Sequence, residues 1–148
     1  MIDQYDRKIL ELLQSNAKLT IKEISSKVQL SVTPVFERIK KLEKEGYIQG
    51  YYARLSREKL GLSLMVVCNV TLDTHQSQYI EKFQSDVLHL HEVKACYHIG
   101  GMYDYLLLIV VKDMNEYQHF VSKKLASLEH IGKVQSSFVM KEIKAFEY

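Results

Sequence analysis

The spacing of apolar and polar positions changes character along this chain. Up to about residue 45 apolar residues recur at helical spacing; from residue 62 onward strand-like apolar runs alternate with helical stretches. Asp3 precedes a first helix with Ile9, Leu10 and Leu13 on its buried side, running to about Ser15. Thr20 and Glu23 form a capping box, in which hydroxyl and carboxylate satisfy each other's backbone N–H groups. The box opens a short helix burying Ile21, Ile24 and Val28. Gln29-Leu30 is the turn and Ser31 caps a third helix. Pro34 falls in its first turn, where a missing N–H costs nothing. Gly46 closes that helix, and Tyr47–Leu55 has the β-branched and aromatic content of an extended strand. Three helices and a strand is the layout of a winged helix-turn-helix.

The third helix carries two opposed stripes. Val35, Ile39 and Leu42 make an apolar face, while Thr33, Glu37, Lys40, Lys41 and Lys44 fall on the other side. Periodicity alone allows such a stripe to be a plain solvated face. The capping box and the short turn upstream favour a helix that offers its polar side to DNA.

Ser56–Leu60, closed by Gly61, reads as a one-turn hinge helix. Beyond it come a strand at 62–72, a helix at 77–88 burying Ile80, Phe83 and Val87, and a strand at 93–99. Gly100-Gly101 is a tight turn, and a strand follows at 102–111. A helix at 115–128 carries Tyr117, Phe120, Val121 and Leu125, and a last strand spans Val134–Phe146. The order βαββαβ is the ferredoxin-like split βαβ, a four-stranded antiparallel sheet with both helices on one face. The fold class is therefore α+β, with a winged helix-turn-helix at 1–61 and a ferredoxin-like domain at 62–148. Tyr105–Val111 is apolar at every position, although a strand with one wet face should alternate. A second copy packed sheet to sheet would cover its other side, which predicts a homodimer.

Charge sharpens this division. Residues 1–61 hold 12 Lys/Arg against 8 Asp/Glu and residues 62–148 hold 8 against 10, within a chain of net charge +2. A basic N-terminal half suits nucleic acid, while the small total excludes a uniformly basic coat. Cys68 and Cys96 each sit in an apolar run, which favours reduced, buried thiols in a cytoplasmic protein. The start MIDQYDRKI is charged where a signal peptide is apolar, and seven apolar residues at 105–111 are far short of the roughly 20 of a spanning helix. No membrane partner is expected. His89, His91, Cys96 and His98 do not form the set of three or four ligands that zinc requires. Cys96 and His98 lack an orienting third group for nucleophilic catalysis, so neither a metal, nor a cofactor, nor an enzyme is expected. The ten tyrosines fall mostly at core positions, where packing explains them better than base stacking.

Several groups of residues together resemble the Lrp/AsnC family of prokaryotic transcription regulators, over about residues 2–144. Ile2-Asp3 with Asp6, Ile9-Leu10 and Leu13 resembles the family's opening helix. Leu30-Ser31, Thr33-Pro34-Val35, Arg38-Ile39, Leu42, Gly46 and Ile48-Gln49-Gly50-Tyr51 resemble its recognition helix and following strand. Gly101-Met102-Tyr103-Asp104-Tyr105 and Asp113-Met114 resemble its effector domain. Gln29 departs from the glycine usual in the turn, so it must then tolerate φ > 0. The resemblance implies a dimer or higher assembly, often an octamer, that binds double-stranded operator DNA. Free amino acids or related small molecules would adjust assembly and DNA affinity.

On this reading the third helix lies in the major groove. Ser31, Thr33 and Glu37 are candidates for base contacts, with Pro34 fixing the helix start, and Lys40, Lys41 and Lys44 for phosphates. Arg38 can clamp a phosphate or pair with Glu37 or Glu45. Gly100, Gly101, Met102, Tyr103 and Asp104 are the effector candidates: two glycines let a turn offer N–H groups to a carboxylate, and Asp104 can face an ammonium. A plain hairpin turn with a solvated aspartate is the competing reading. Ser136 matches a polar position lining the pocket in relatives, and Val134 one that is often threonine. The leading expectation is a sequence-specific regulator gated by an amino acid. A nucleoid-organising protein with little sequence choice, and an amino-acid-binding or enzymatic domain whose N-terminal helices serve assembly, are the alternatives.

Overall fold

A computed structural model describes residues 1–144, which divide into two compact units, Met1–Leu55 and the part from Ser56 onward. In the first unit α1 spans Gln4–Ser15, α2 Ile21–Val28 and α3 Val32–Lys44. Asp3 and Asp6 close a reciprocal capping box on α1, and Thr20 and Glu23 close another on α2. Two capped starts in quick succession fix where these short helices begin through local hydrogen bonds alone. Their apolar stripes meet in one core of Ile9, Leu13, Ile24, Val28, Val35, Ile39 and Leu42, with Leu10 and Ile21 partly buried against it.

Between α2 and α3 the backbone turns at Gln29, with φ 57° and ψ 41°. The N–H groups of Gln29 and Leu30 both return to the Ser25 carbonyl, which explains how a non-glycine residue holds a left-handed turn. Gly46, at φ 77°, ends α3. The strand expected at Tyr47–Leu55 is not formed: 49–55 belongs to no helix or strand among the described residues. β propensity alone does not make a strand without a neighbour to complete the ladder. Tyr51 is instead tied back to α3, its hydroxyl donating to Glu43 at 2.9 Å.

The second unit opens with a hydrogen-bonded turn at 57–61 where a hinge helix is expected, and Gly61 takes φ 72°. Then follow β1 (Leu64–Leu72), α4 (Ser77–Val87), β2 (Val93–His98), β3 (Tyr105–Val111), α5 (Met114–His119) and β4 (Ile131–Phe138). The sheet order is β2-β3-β1-β4, and every pairing is antiparallel. One face carries Val66, Cys68, Val70, Tyr105, Leu107 and Ile109, sealed by Phe83 and Val87 of α4 and by Tyr117, Phe120 and Leu125. On the opposite face Val67, Leu106 and Leu108 are only half-buried.

The helix expected at 115–128 breaks into three pieces: α5, a π turn at Phe120–Lys124 and a 3₁₀ turn at Leu125–Ser127. Phe120 and Leu125 are both fully buried; the wider π turn, with its i→i+5 hydrogen bonds, reduces the angle between residues five apart and lets both face the core. The last strand also differs from 134–146. Its ladder begins with Leu72 opposite Ile131, because Asp73 N–H already bonds the His130 carbonyl. It ends near Phe138 because β1, its partner, starts at Leu64. The expected extension to Ala145-Phe146 lies outside the described residues.

Candidate nucleic-acid interface and effector loop

Burying Val35, Ile39 and Leu42 forces the opposite side of α3 outward. Ser31, Thr33, Pro34, Glu37, Lys40, Lys41 and Lys44 are all exposed there. Ser31 occupies the N-cap position but its hydroxyl makes no capping bond, so the cap is made by backbone alone. Lys40 reaches Glu43 at 3.0 Å and Lys41 reaches Glu45 at 4.0 Å. Exposed pairs of this kind are worth little and exchange readily for a phosphate. The neighbouring Lys40 ammonium and the Tyr51 hydroxyl hold the Glu43 carboxyl below its usual range.

Arg38 belongs to a different structure. It neither points at the outward stripe nor pairs with Glu37 or Glu45. Its guanidinium donates to Asp6 and to Asp3, each at 2.7 Å, and lies 5.5 Å from the centre of the Tyr5 ring. Asp6 is 2% exposed, so α3 is bolted to the start of α1 by a charge the core cannot leave unpaired. The Asp6 N–H, and then Arg38, hold the Asp3 carboxyl below its ordinary value. Arg38 is therefore committed to Asp3 and Asp6 rather than to Glu37 or Glu45.

Two residues absent from the sequence-based set share the outward side. Val32 is 47% exposed and Phe36 41% exposed. Apolar residues i and i+4 beside the core stripe look like core from periodicity alone, so no pattern in the sequence singles them out.

In the second unit the loop from Gly100 to Asp104 joins β2 to β3. Gly101 has φ 143°, a backbone conformation open to glycine, and Met102 is 85% exposed. Neither Gly100 nor Gly101 has an atom within 4 Å of where a Cβ would lie, so the loop's backbone is open to a ligand. Tyr103 donates its hydroxyl to Gln135 of β4. Asp104 is partly buried, its side chain 22% exposed. Its carboxylate accepts from Leu72 N–H at 2.7 Å and contacts His75 Nε2 at 2.8 Å, while its own N–H donates to the Val70 carbonyl. Burial pushes the Asp104 carboxyl up, but Leu72 N–H and His75 outweigh it and hold the group below its usual range. Asp104 is thus the bracket that fixes the loop to the end of β1. Both carboxylate oxygens are engaged within the fold, which differs from a freely solvated turn.

Ser136 is also committed inward, its hydroxyl 2.5 Å from the Tyr117 hydroxyl beneath α5. Burial drives the Tyr117 phenol up to about 12, so it stays protonated and the pair remains neutral. Burial likewise raises the thiols of Cys68 and Cys96, both free. Among the described residues no three His, Cys, Asp or Glu side chains group to hold a metal ion, and no helix is long and apolar enough to cross a membrane.

Comparison with known proteins supports this division of labour. The family described as winged helix-turn-helix DNA-binding matches residues 2–49, and the Lrp/AsnC ligand binding domain matches residues 65–147. The chain is 34% identical over 142 residues to the Bkd operon transcriptional regulator of Pseudomonas aeruginosa, covering 96% of this chain and 93% of that protein. It is 36% identical over 143 residues to the leucine-responsive regulatory protein of Escherichia coli K12, covering 97% and 87%. The crystal structure of a transcriptional regulator from Neisseria meningitidis in complex with L-Met superimposes with a TM-score of 0.94 at 39% identity, covering 98% of this chain and 94% of that one.

Proposed function

The chain belongs to the Lrp/AsnC family of transcription regulators, and on that premise we propose that α3 reads operator DNA while an amino acid held at the 100–103 loop adjusts assembly and DNA affinity. The observation that carries the DNA reading is the outward stripe of α3. Thr33 and Glu37 stand near its start, where base edges are met, and Lys40, Lys41 and Lys44 follow, where phosphates are met. Arg38 positions the helix through Asp6 and takes no part in contact.

For the effector, the open backbone of Gly100 and Gly101 suits a carboxylate, and exposed Met102 with Tyr103 offers apolar surface for a side chain. Relatives named for leucine or bound to L-Met favour an apolar amino acid here. Asp104 and Ser136 support the site's framework, with their polar atoms directed into the fold. The half-buried apolar face around Val67, Leu106 and Leu108 suits a second copy, giving a homodimer that can assemble further, to an octamer.

Titration calorimetry of the full chain against L-Met, L-Leu and L-Asp, with sedimentation at each endpoint, tests this reading. Binding of Met or Leu with a shift in assembly is expected. Failure of every amino acid to bind, or a monomer at micromolar concentration, would remove the effector or dimer claim respectively.

A further inference from the structure

We propose that Phe36, with Val32 one turn before it, reads thymine through its C5-methyl group. The inference rests on α3 lying in the major groove. Its starting point is a pair of large apolar side chains that the core does not need. Val35, Ile39 and Leu42 already fill the inner face of α3, yet Val32 and Phe36 remain 47% and 41% exposed. On a helical wheel both lie between that buried face and the outward line of Thr33, Lys40 and Lys44. Phe36 borders a shallow open cleft together with Leu13, Leu19 and Ile21, and its side chain stays 41% exposed.

The surroundings select the occupant. Lys40 Nζ lies 5.8 Å from the centre of the Phe36 ring, and Thr33 lies one turn before it on the same side of the helix. An apolar patch flanked by a cation and by hydrogen-bonding groups complements a surface that is anionic at its rim and mixed polar and apolar at its floor. The duplex major groove has this pattern: phosphates form the rim, base edges the floor, and the thymine methyl is the apolar group on that floor. When Lys40 moves to a phosphate, the ring edge is left against the base edges. A second protein copy would not require the cations alongside.

The test uses the full chain and a duplex recovered by in vitro selection with it. Each thymine is replaced in turn by deoxyuridine, which removes only the methyl. Wild type is expected to bind about threefold to fivefold more weakly at one or two positions per half-site, the size of one buried methyl. Phe36→Ala and Phe36→Gln should bind thymine and deoxyuridine duplexes equally at those positions. A separate readout avoids variants: 5-iodouracil placed at a sensitive position should photocrosslink to the peptide bearing Phe36 in the wild-type chain. Equal wild-type affinity for all deoxyuridine duplexes, unchanged discrimination in the variants, or crosslinks elsewhere would overturn the proposal. So would a change confined to sedimentation, which would assign Phe36 to contact between copies. Recovery of no duplex in the selection would instead contradict the DNA-reading premise itself.

Discussion

Arg38 of α3 donates to the Asp6 carboxylate of α1 at 2.7 Å, and Asp6 is buried. The contact joins α3 to the capped start of α1, beside the packing of Val35, Ile39 and Leu42. Truncating Arg38 strands a charge that cannot reach water. Arg38→Ala is therefore expected to lower stability by about 3 kcal/mol in urea unfolding at pH 7. Adding Asp6→Asn should restore part of the loss, since the stranded group is then neutral. Unchanged stability, with a shallower salt dependence of DNA binding, would show a phosphate clamp instead.

Lys41 is the contrasting case. It is exposed and its 4.0 Å contact with Glu45 contributes little. Lys41→Ala should leave unfolding unchanged while weakening binding to all duplexes alike. The slope of log affinity against log salt should fall by about one. An unchanged slope would take Lys41 off the list of contacts.

Much of this was legible in the sequence, and the failures share a cause. The Asp3 cap, the Thr20–Glu23 capping box, the core stripes and the positive φ of Gln29 are local consequences of residue type and spacing, and each is found where expected. Arg38 was not legible, because its partners Asp3 and Asp6 lie 35 and 32 residues away and no periodicity links them. Asp104 depends on the fold in the same way: its acceptor role requires the end of β1, brought alongside by the sheet. The pattern at 115–128 was seen as helical but not as α, π and 3₁₀ in turn, since the fivefold spacing of Phe120 and Leu125 is ambiguous until both are buried. The 47–55 segment shows the reverse error, in which strand-forming residues were present without a neighbouring strand.

The Asp104 bracket makes a prediction in pH. Its carboxyl sits below the usual range in the folded chain, so the unfolded chain binds the proton more tightly. The stabilisation is complete above the unfolded value of about 3.9 and is lost as pH falls through the folded value. Asp104→Asn should cost about 1 kcal/mol at pH 7. The difference from wild type should narrow as pH falls below the unfolded value. Urea unfolding followed from pH 7 down through the folded carboxyl's titration measures this, and a gap that stays constant throughout would contradict the bracket.

The most direct test of the central claim, that α3 reads sequence with its outward face, is a ratio of two affinities. The full chain is measured against a selected duplex and a scrambled duplex of equal length at one salt concentration. A ratio of about 1,000 or more is expected, falling by at least tenfold in the Thr33→Ala, Glu37→Ala double variant. A ratio near one in the wild-type chain would contradict it and leave an architectural DNA-binding protein with little sequence choice.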